Sequence, residues 1–147
     1  MNPQYIKDLK KVIALSDLPD EQLQWIAERV EYQEFEDGEI STKKGDPMEI
    51  MWFIPEGRLD FYMDINSQQV YYYNFQNDTV SGGVGGLLPY SRMKVSPGYA
   101  YSVGKTKKYT LHKKYFRELE QLNPALVQRL IGYMTERARA FATTKYL

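Results

Sequence analysis

The chain has no cysteine and a single histidine, His112, among its 147 residues. No disulfide framework or thiolate metal site can be built from such a sequence. One histidine does not supply the cluster of ligands that a metal ion takes. The lack of thiols fits a reducing compartment, and the expected location is cytoplasmic. Net charge is lacking too: 19 basic residues balance 19 acidic ones, so no overall field argues for nucleic acid or a membrane surface. No apolar run approaches the ~20 residues of a membrane span, and the opening Met1-Asn2-Pro3-Gln4-Tyr5-Ile6-Lys7 has no signal-peptide apolar core. Ser81, Ser91 and Ser96 have no histidine base placed by a recognisable motif, so no nucleophile is inferred. No catalytic residue, no metal and no membrane partner is expected. An enzyme on a β-roll is the weakest alternative, because histidine pairs are missing.

What remains reads as one domain: helix, a block of short strands, then helix. Leu23, Ile26, Ala27 and Val30 follow i, i+3, i+4, i+7, one helical face, with Pro19, Asp20 and Glu21 suited to its opening turn. An earlier helix is expected over about Gln4–Leu15. From Glu31 to Leu111 the period falls to two: Leu59, Phe61, Met63 and Ile65 alternate with Arg58, Asp60, Tyr62 and Asp64. Turn signals punctuate the block at Asp37-Gly38, Gly45-Asp46-Pro47, Pro55-Glu56-Gly57, Asn66-Ser67, Asn77-Asp78, Pro97-Gly98 and Gly104. Strands so divided suggest a sandwich or jelly roll. The cluster Tyr71-Tyr72-Tyr73 fits β-propensity. Helix returns over His112–Leu122, and Asn123-Pro124 opens a longer one. There Val127, Ile131, Met134, Ala138 and Phe141 are spaced 4, 3, 4, 3, a heptad seam for a parallel dimer. Leu126 and Leu130 lie off the seam, placed to pack on the strands. That helix reaches about the last residue without a C-cap, which suggests a piece of a longer chain.

Chemistry concentrates in Gly82-Gly83-Val84-Gly85-Gly86-Leu87-Leu88-Pro89-Tyr90-Ser91-Arg92. Four glycines in five residues allow φ > 0 and bring bare amides close to a ligand. Amides followed by a guanidinium are a means of holding a phosphate or carboxylate. The candidate binding residues are Gly82, Gly83, Val84, Gly85, Gly86, Leu87, Ser91 and Arg92. The bland alternative is a tight corner of a β-roll with a surface arginine. Gly104-Lys105-Thr106 imitates the end of a phosphate-binding loop, but Tyr99 stands where that motif needs glycine, and a β-turn is the better reading. The acids Glu31, Glu34, Glu36, Asp37 and Glu39 read as a solvated stretch around a turn.

Leu15-Ser16-Asp17-Leu18-Pro19-Asp20-Glu21-Gln22-Leu23 resembles the entry helix of cyclic nucleotide-binding domains. Glu36-Asp37-Gly38-Glu39-Ile40, Lys44-Gly45-Asp46-Pro47 and Met51-Trp52-Phe53-Ile54-Pro55-Glu56-Gly57 continue the likeness, with Gly38, Gly45 and Gly57 as the hallmark turns. The resemblance covers nearly the whole chain. It implies an α+β, mainly β fold: an eight-stranded double-stranded β-helix (jelly roll) with N-terminal helices and C-terminal hinge and lid helices. Residues 1–31 would be the helical entry, 32–111 the roll with a cassette-like loop at 82–93, and 112–147 the hinge and lid. In that family the cassette glutamate binds the ribose and the arginine binds the cyclic phosphate. Aligned by spacing, Arg92 takes the arginine position, Gly83 takes the glutamate position, and no acid occurs from Gly82 to Met93.

Leu87-Leu88-Pro89-Tyr90-Ser91-Arg92-Met93 is also similar to N-terminal sensory domains of some bacterial sensor histidine kinases. The resemblance implies a regulatory module that binds a cyclic nucleotide or other small anion. Its signal would pass through Tyr115, Phe116 and Leu119 and the last helix to an output domain in cis, such as a histidine kinase core. A homodimer through Val127–Phe141 is expected, and no cofactor beyond such a ligand. No basic recognition helix is present, so DNA contact by this chain alone is not expected. The alternative is an orphan domain that binds no nucleotide and serves as a dimerisation or protein-interaction scaffold; Tyr90 or Met93 filling the pocket would favour it.

Overall fold

A computed structural model describes residues 2–87, 89–133 and 135. Helix α1 spans Pro3–Lys11: Asn2 caps it by accepting from the Gln4 amide at 2.9 Å, and Pro3 occupies the first turn, where no amide is needed. A 3₁₀ turn at Ile13–Leu15 completes the helical stretch expected over about Gln4–Leu15. Helix α2 spans Asp20–Ala27, with Asp20 and Glu21 against the positive end of its dipole. Its face of Leu23, Ile26 and Ala27, continued by Val30, is buried as the spacing required.

Six strands follow in a single antiparallel sheet: β1 (Glu31–Phe35), β2 (Ile40–Thr42), β3 (Ile50–Ile65), β4 (Gln68–Gln76), β5 (Val84–Gly86) and β6 (Gly98–His112). The main order is β1-β6-β3-β4, with β2 on β6 and β5 on β3. The expected eight strands therefore become six among the described residues. Two of the turn signals lie inside long strands: Pro55-Glu56-Gly57 falls within β3 and Gly104 within β6. At Gly57 the register against β6 shifts, φ is +92°, and an added Cβ would lie 2.5 Å from the Lys105 carbonyl oxygen. Only glycine fits that bulge, which bends the strand without ending it.

The run Met51-Trp52-Phe53-Ile54 is buried on both faces of the sheet. Met51 and Phe53 join Leu9, Leu15, Leu23, Ile26, Tyr109 and Leu111 in a core beneath the helices. Trp52 and Ile54 join Leu59, Phe61, Phe75 and Ala100 inside the roll. The alternation Leu59, Phe61, Met63, Ile65 runs from fully buried to 44 % exposed at Ile65, where the strand leaves the core.

After β6, His112 accepts from the Lys114 amide at 3.0 Å and starts a 3₁₀ turn, Lys113–Tyr115. Helix α3 follows at Phe116–Leu122, and helix α4 begins at 124 and is described through 133. Asn123 caps α4 as expected, its side-chain oxygen accepting from the Leu126 amide at 3.0 Å. Arg129 of α4 grips Asp17 at 2.5 and 3.0 Å through two nitrogens and also donates to the Ala14 carbonyl. No helix among the described residues is long and apolar enough to cross a membrane.

Candidate functional site

The glycine loop is tied from both ends into the fold. The Gly82 amide donates to the Asp78 carbonyl at 2.7 Å, Gly83 to Gln76 at 3.2 Å, Val84 to Ser81 at 3.2 Å, and Leu87 to Ile50 at 2.8 Å. The Asp78 side chain accepts from the amides of Val80 and Ser81 at 3.0 and 2.7 Å. The carboxylate that the Val80 and Ser81 amides cradle is thus the chain's own Asp78. Of the candidate amides, those of Gly82, Gly83, Val84 and Leu87 are not bare: backbone carbonyls of Asp78, Gln76, Ser81 and Ile50 accept from them.

The glycines instead permit close packing. Gly82, at φ +66°, lies under the Tyr133 ring, where a Cβ would come within 2.7 Å. A Cβ at Gly85 would meet the indole nitrogen of Trp52 at 2.3 Å and the Phe75 ring at 2.4 Å. Gly85 and Gly86 lie in β5, opposite Trp52 and Met51. The Gly82 carbonyl also accepts from the Ala14 amide at 3.0 Å, and Asn77 bonds Ile13 and Lys11, so the loop fastens the N-terminal helices to the roll.

Arg92 and Ser91 are exposed, and Arg92 has neither ion pair nor hydrogen bond among the described residues. Ser91, Gly86 and Leu87 border a cavity of about 490 Å³ within the roll; Arg92 does not line it. β3 supplies Trp52, Phe61 and Met63 to its wall, β4 supplies Tyr72, Tyr73 and Phe75, and the loops add Met48, Met93 and Pro97. Consecutive tyrosines reach one cavity because β4 carries a bulge. Phe61 pairs with Tyr73 and Tyr62 with Tyr71, leaving Tyr72 as the extra residue. The rings pack on each other: Trp52 meets Phe75 edge-on at 5.3 Å, and Phe61 stacks with Tyr73 at 5.6 Å. The sequence pattern missed this site, since strict alternation hides a bulge. The signal available was the aromatic density of 71–75 opposite Trp52 and Phe61.

Below Trp52 lies Lys108, 1 % exposed, its ammonium 4.3 Å from the indole centroid and donating to Ser41 Oγ at 2.8 Å. Burial pulls its pKa down to about 8, while the charge of Asp46 acts weakly in the other direction. On the opposite face, Tyr109 donates to the buried Asp8 carboxylate of α1, and burial first, then that bond, pushes the phenol far above its ordinary value.

The cavity loop reaches α3. Tyr90, at φ +71° and 73 % exposed, turns away from the cavity and donates to Glu120 of α3. This bond raises the Tyr90 pKa. Met93 lies at the cavity wall, and Lys94 and Ser96 are bonded to Met48 and Asp46. Leu119 of α3 is fully buried, with Tyr115 and Phe116 packed beside it.

In α4 the off-seam Leu126 and Leu130 are buried in the helical core as expected, but Val127 is buried with them at 1 % exposure. Val127 is therefore spent inside its own domain, because the helix turns a broad face, not a narrow stripe, to the core. Ile131 packs partly on that core. Met134, Ala138 and Phe141 of the seam lie outside the described residues. His112 lies 3.7 Å from Glu49, and no cluster of metal-ligating side chains occurs among the described residues.

No family model matches the sequence, and a search of curated proteins finds no match. Solved structures do match in shape. A cyclic nucleotide-binding domain from Methylobacillus flagellatus superposes with a TM-score of 0.72 at 14 % identity, covering 97 % of this chain and 81 % of that one. The regulatory domain of Toxoplasma gondii protein kinase A with cyclic AMP gives 0.70 at 18 %, covering 90 % and 49 %. The catabolite activator protein of Thermus thermophilus gives 0.69 at 13 %, covering 86 % and 58 %. The chain therefore has the fold of cyclic nucleotide-binding domains, as its spaced glycines implied, and spans about half the length of the Toxoplasma regulatory domain.

Proposed function

We propose that this chain is a regulatory ligand-sensing module that takes a small molecule into the aromatic cavity and relays occupancy to its C-terminal helices. One observation carries the reading: the loop that borders the cavity at Gly86, Leu87, Ser91 and Met93 is the same loop whose Tyr90 bonds α3. A ligand against Met93 and Ser91 moves or stiffens this loop, and Tyr90 transmits the change to Glu120 and so to α3 and α4. The step is a shift between pre-existing loop positions. An output domain in cis, of which a histidine kinase core is one example, would read the change. Arg92 is exposed on the same loop and does not line the cavity.

The fold neighbours include proteins whose names carry cyclic AMP binding, which supports a nucleotide-like ligand here. The missing cassette acid and the self-satisfied loop amides favour a second reading, a scaffold that binds no nucleotide. Tyr90 does not fill the cavity, which favours the sensor. Dimerisation, if it uses the last helix, begins beyond Val127.

The test is a thermal-shift panel of cyclic AMP, cyclic GMP, cyclic dinucleotides, nucleosides and small organic anions on the wild type and on Met63→Trp, which fills the cavity. A compound that raises the wild-type Tm and not that of the variant is expected. Equal shifts in both would place binding outside the cavity, and silence throughout would support the scaffold.

A further inference from the structure

We infer that the cavity takes a flat, uncharged aromatic molecule of nucleobase to nucleoside size and discriminates against anions. This inference rests on the sensing reading and specifies its ligand. Trp52, Phe61, Tyr73 and Phe75 present ring faces and edges to the cavity, and among the described residues no Asp, Glu, Lys, Arg or His lines it. Two cations within the roll are already engaged. Arg58 pairs with Asp60 at 2.9 Å, and Lys108 lies beneath Trp52 with Ser41 at 2.8 Å. Arg92 stands outside on the exposed loop.

An anion entering this space gives up hydration without meeting a counter-charge among the lining residues. A neutral ring gives up little and gains dispersion and edge-to-face contacts. Met63 and Met93 at the wall add soft, adjustable surface that fits around a ring. About 490 Å³ lies within the usual range for small-molecule sites. The one hydroxyl supplied by the rim loop is Ser91 Oγ, which accepts from the Met93 amide at 3.2 Å and still has a proton to donate.

The experiment is isothermal titration of the purified chain with matched pairs, adenosine against cyclic AMP and guanosine against cyclic GMP. Indole serves as a base-free flat probe. Each is run on the wild type, Arg92→Ala, Met63→Trp and Ser91→Trp, the last filling the cavity from the exposed loop in case Met63→Trp folds poorly. The expected result is that indole or a nucleoside binds at least tenfold more tightly than the cyclic phosphates. Arg92→Ala leaves that affinity within twofold, and the filling variants abolish it. A cyclic phosphate that binds as tightly as its nucleoside, and loses tenfold in Arg92→Ala, overturns the neutral class and leaves the sensing reading standing. No binding of any probe at millimolar concentration overturns both.

Discussion

Lys108 is the residue at which burial and charge conflict most. Its ammonium is enclosed with a single hydroxyl partner and the Trp52 face, and its pKa falls to about 8 from the usual 10.5. The folded state therefore binds the proton less tightly than the unfolded chain. The favourable neutral form is fully expressed above pH 10.5 and is lost as pH falls through about 8. The difference corresponds to roughly 3 kcal/mol. Wild-type stability should rise between pH 8 and 10.5 in urea titrations, and Lys108→Met should flatten that rise. At pH 7 the variant should be more stable by about 1–3 kcal/mol; a less stable variant with the rise intact would mean that Lys108 is well solvated. Gly85 makes the complementary residue-scale case. A Cβ there would strike Trp52 and Phe75 at 2.3 and 2.4 Å, so Gly85→Ala should cost about 1–3 kcal/mol in chemical denaturation. Gly45→Ala meets nothing within 4 Å and strains only its φ of +88°, so it should cost less.

At the scale of elements, α4 is held by Arg129 on Asp17 and by Leu126, Val127 and Leu130 in the core. The Arg129 hydrogen bond holds the Asp17 carboxyl below the usual carboxylate range. That contribution is present above the ordinary carboxylate pKa and is lost as pH falls through the lowered value. Arg129→Gln should therefore speed hydrogen exchange in α4 relative to wild type at neutral pH, with the difference shrinking in acid; a difference independent of pH would show that the ion pair contributes nothing. Elements were also where the sequence was most legible. The face of α2, the Asn123 cap and the burial of Leu126 and Leu130 follow from 3.6-residue spacing and local hydrogen bonding, and the structure keeps all of them. Strand number was not legible, because Gly57 and Gly104 serve equally well as turn residues or as bulge residues. Only the pairing partner decides which. The seam was half legible: periodicity marks Val127 as apolar but does not say whether its partner is another chain or its own sheet.

At the scale of the molecule, the roll separates two cores with different tasks. The core under the helices, with Asp8 bonded to Tyr109, holds the entry helices and α4 together. The aromatic core inside the roll is left with a cavity, bordered by a loop that bonds α3. The candidate site was legible as a stretch of chain and not as chemistry. Gly86, Leu87 and Ser91 of that stretch do border it, but backbone carbonyls take up the amides of Gly82, Gly83, Val84 and Leu87, and the cavity wall comes from residues as far apart in sequence as Met48 and Pro97, brought together by β3, β4 and a bulge. Pairing across the sheet is what no single-strand pattern carries.

The central claim is that the cavity communicates with α3 through Tyr90. Met63→Trp places a permanent ring in the cavity, and hydrogen–deuterium exchange on that variant, with and without Tyr90→Phe, tests the claim most directly. The account predicts altered exchange at residues 89–97 and 116–122 in Met63→Trp, with the change at 116–122 lost when Tyr90→Phe is added. Altered exchange confined to β3 and β4, with α3 as in the wild type, would contradict it.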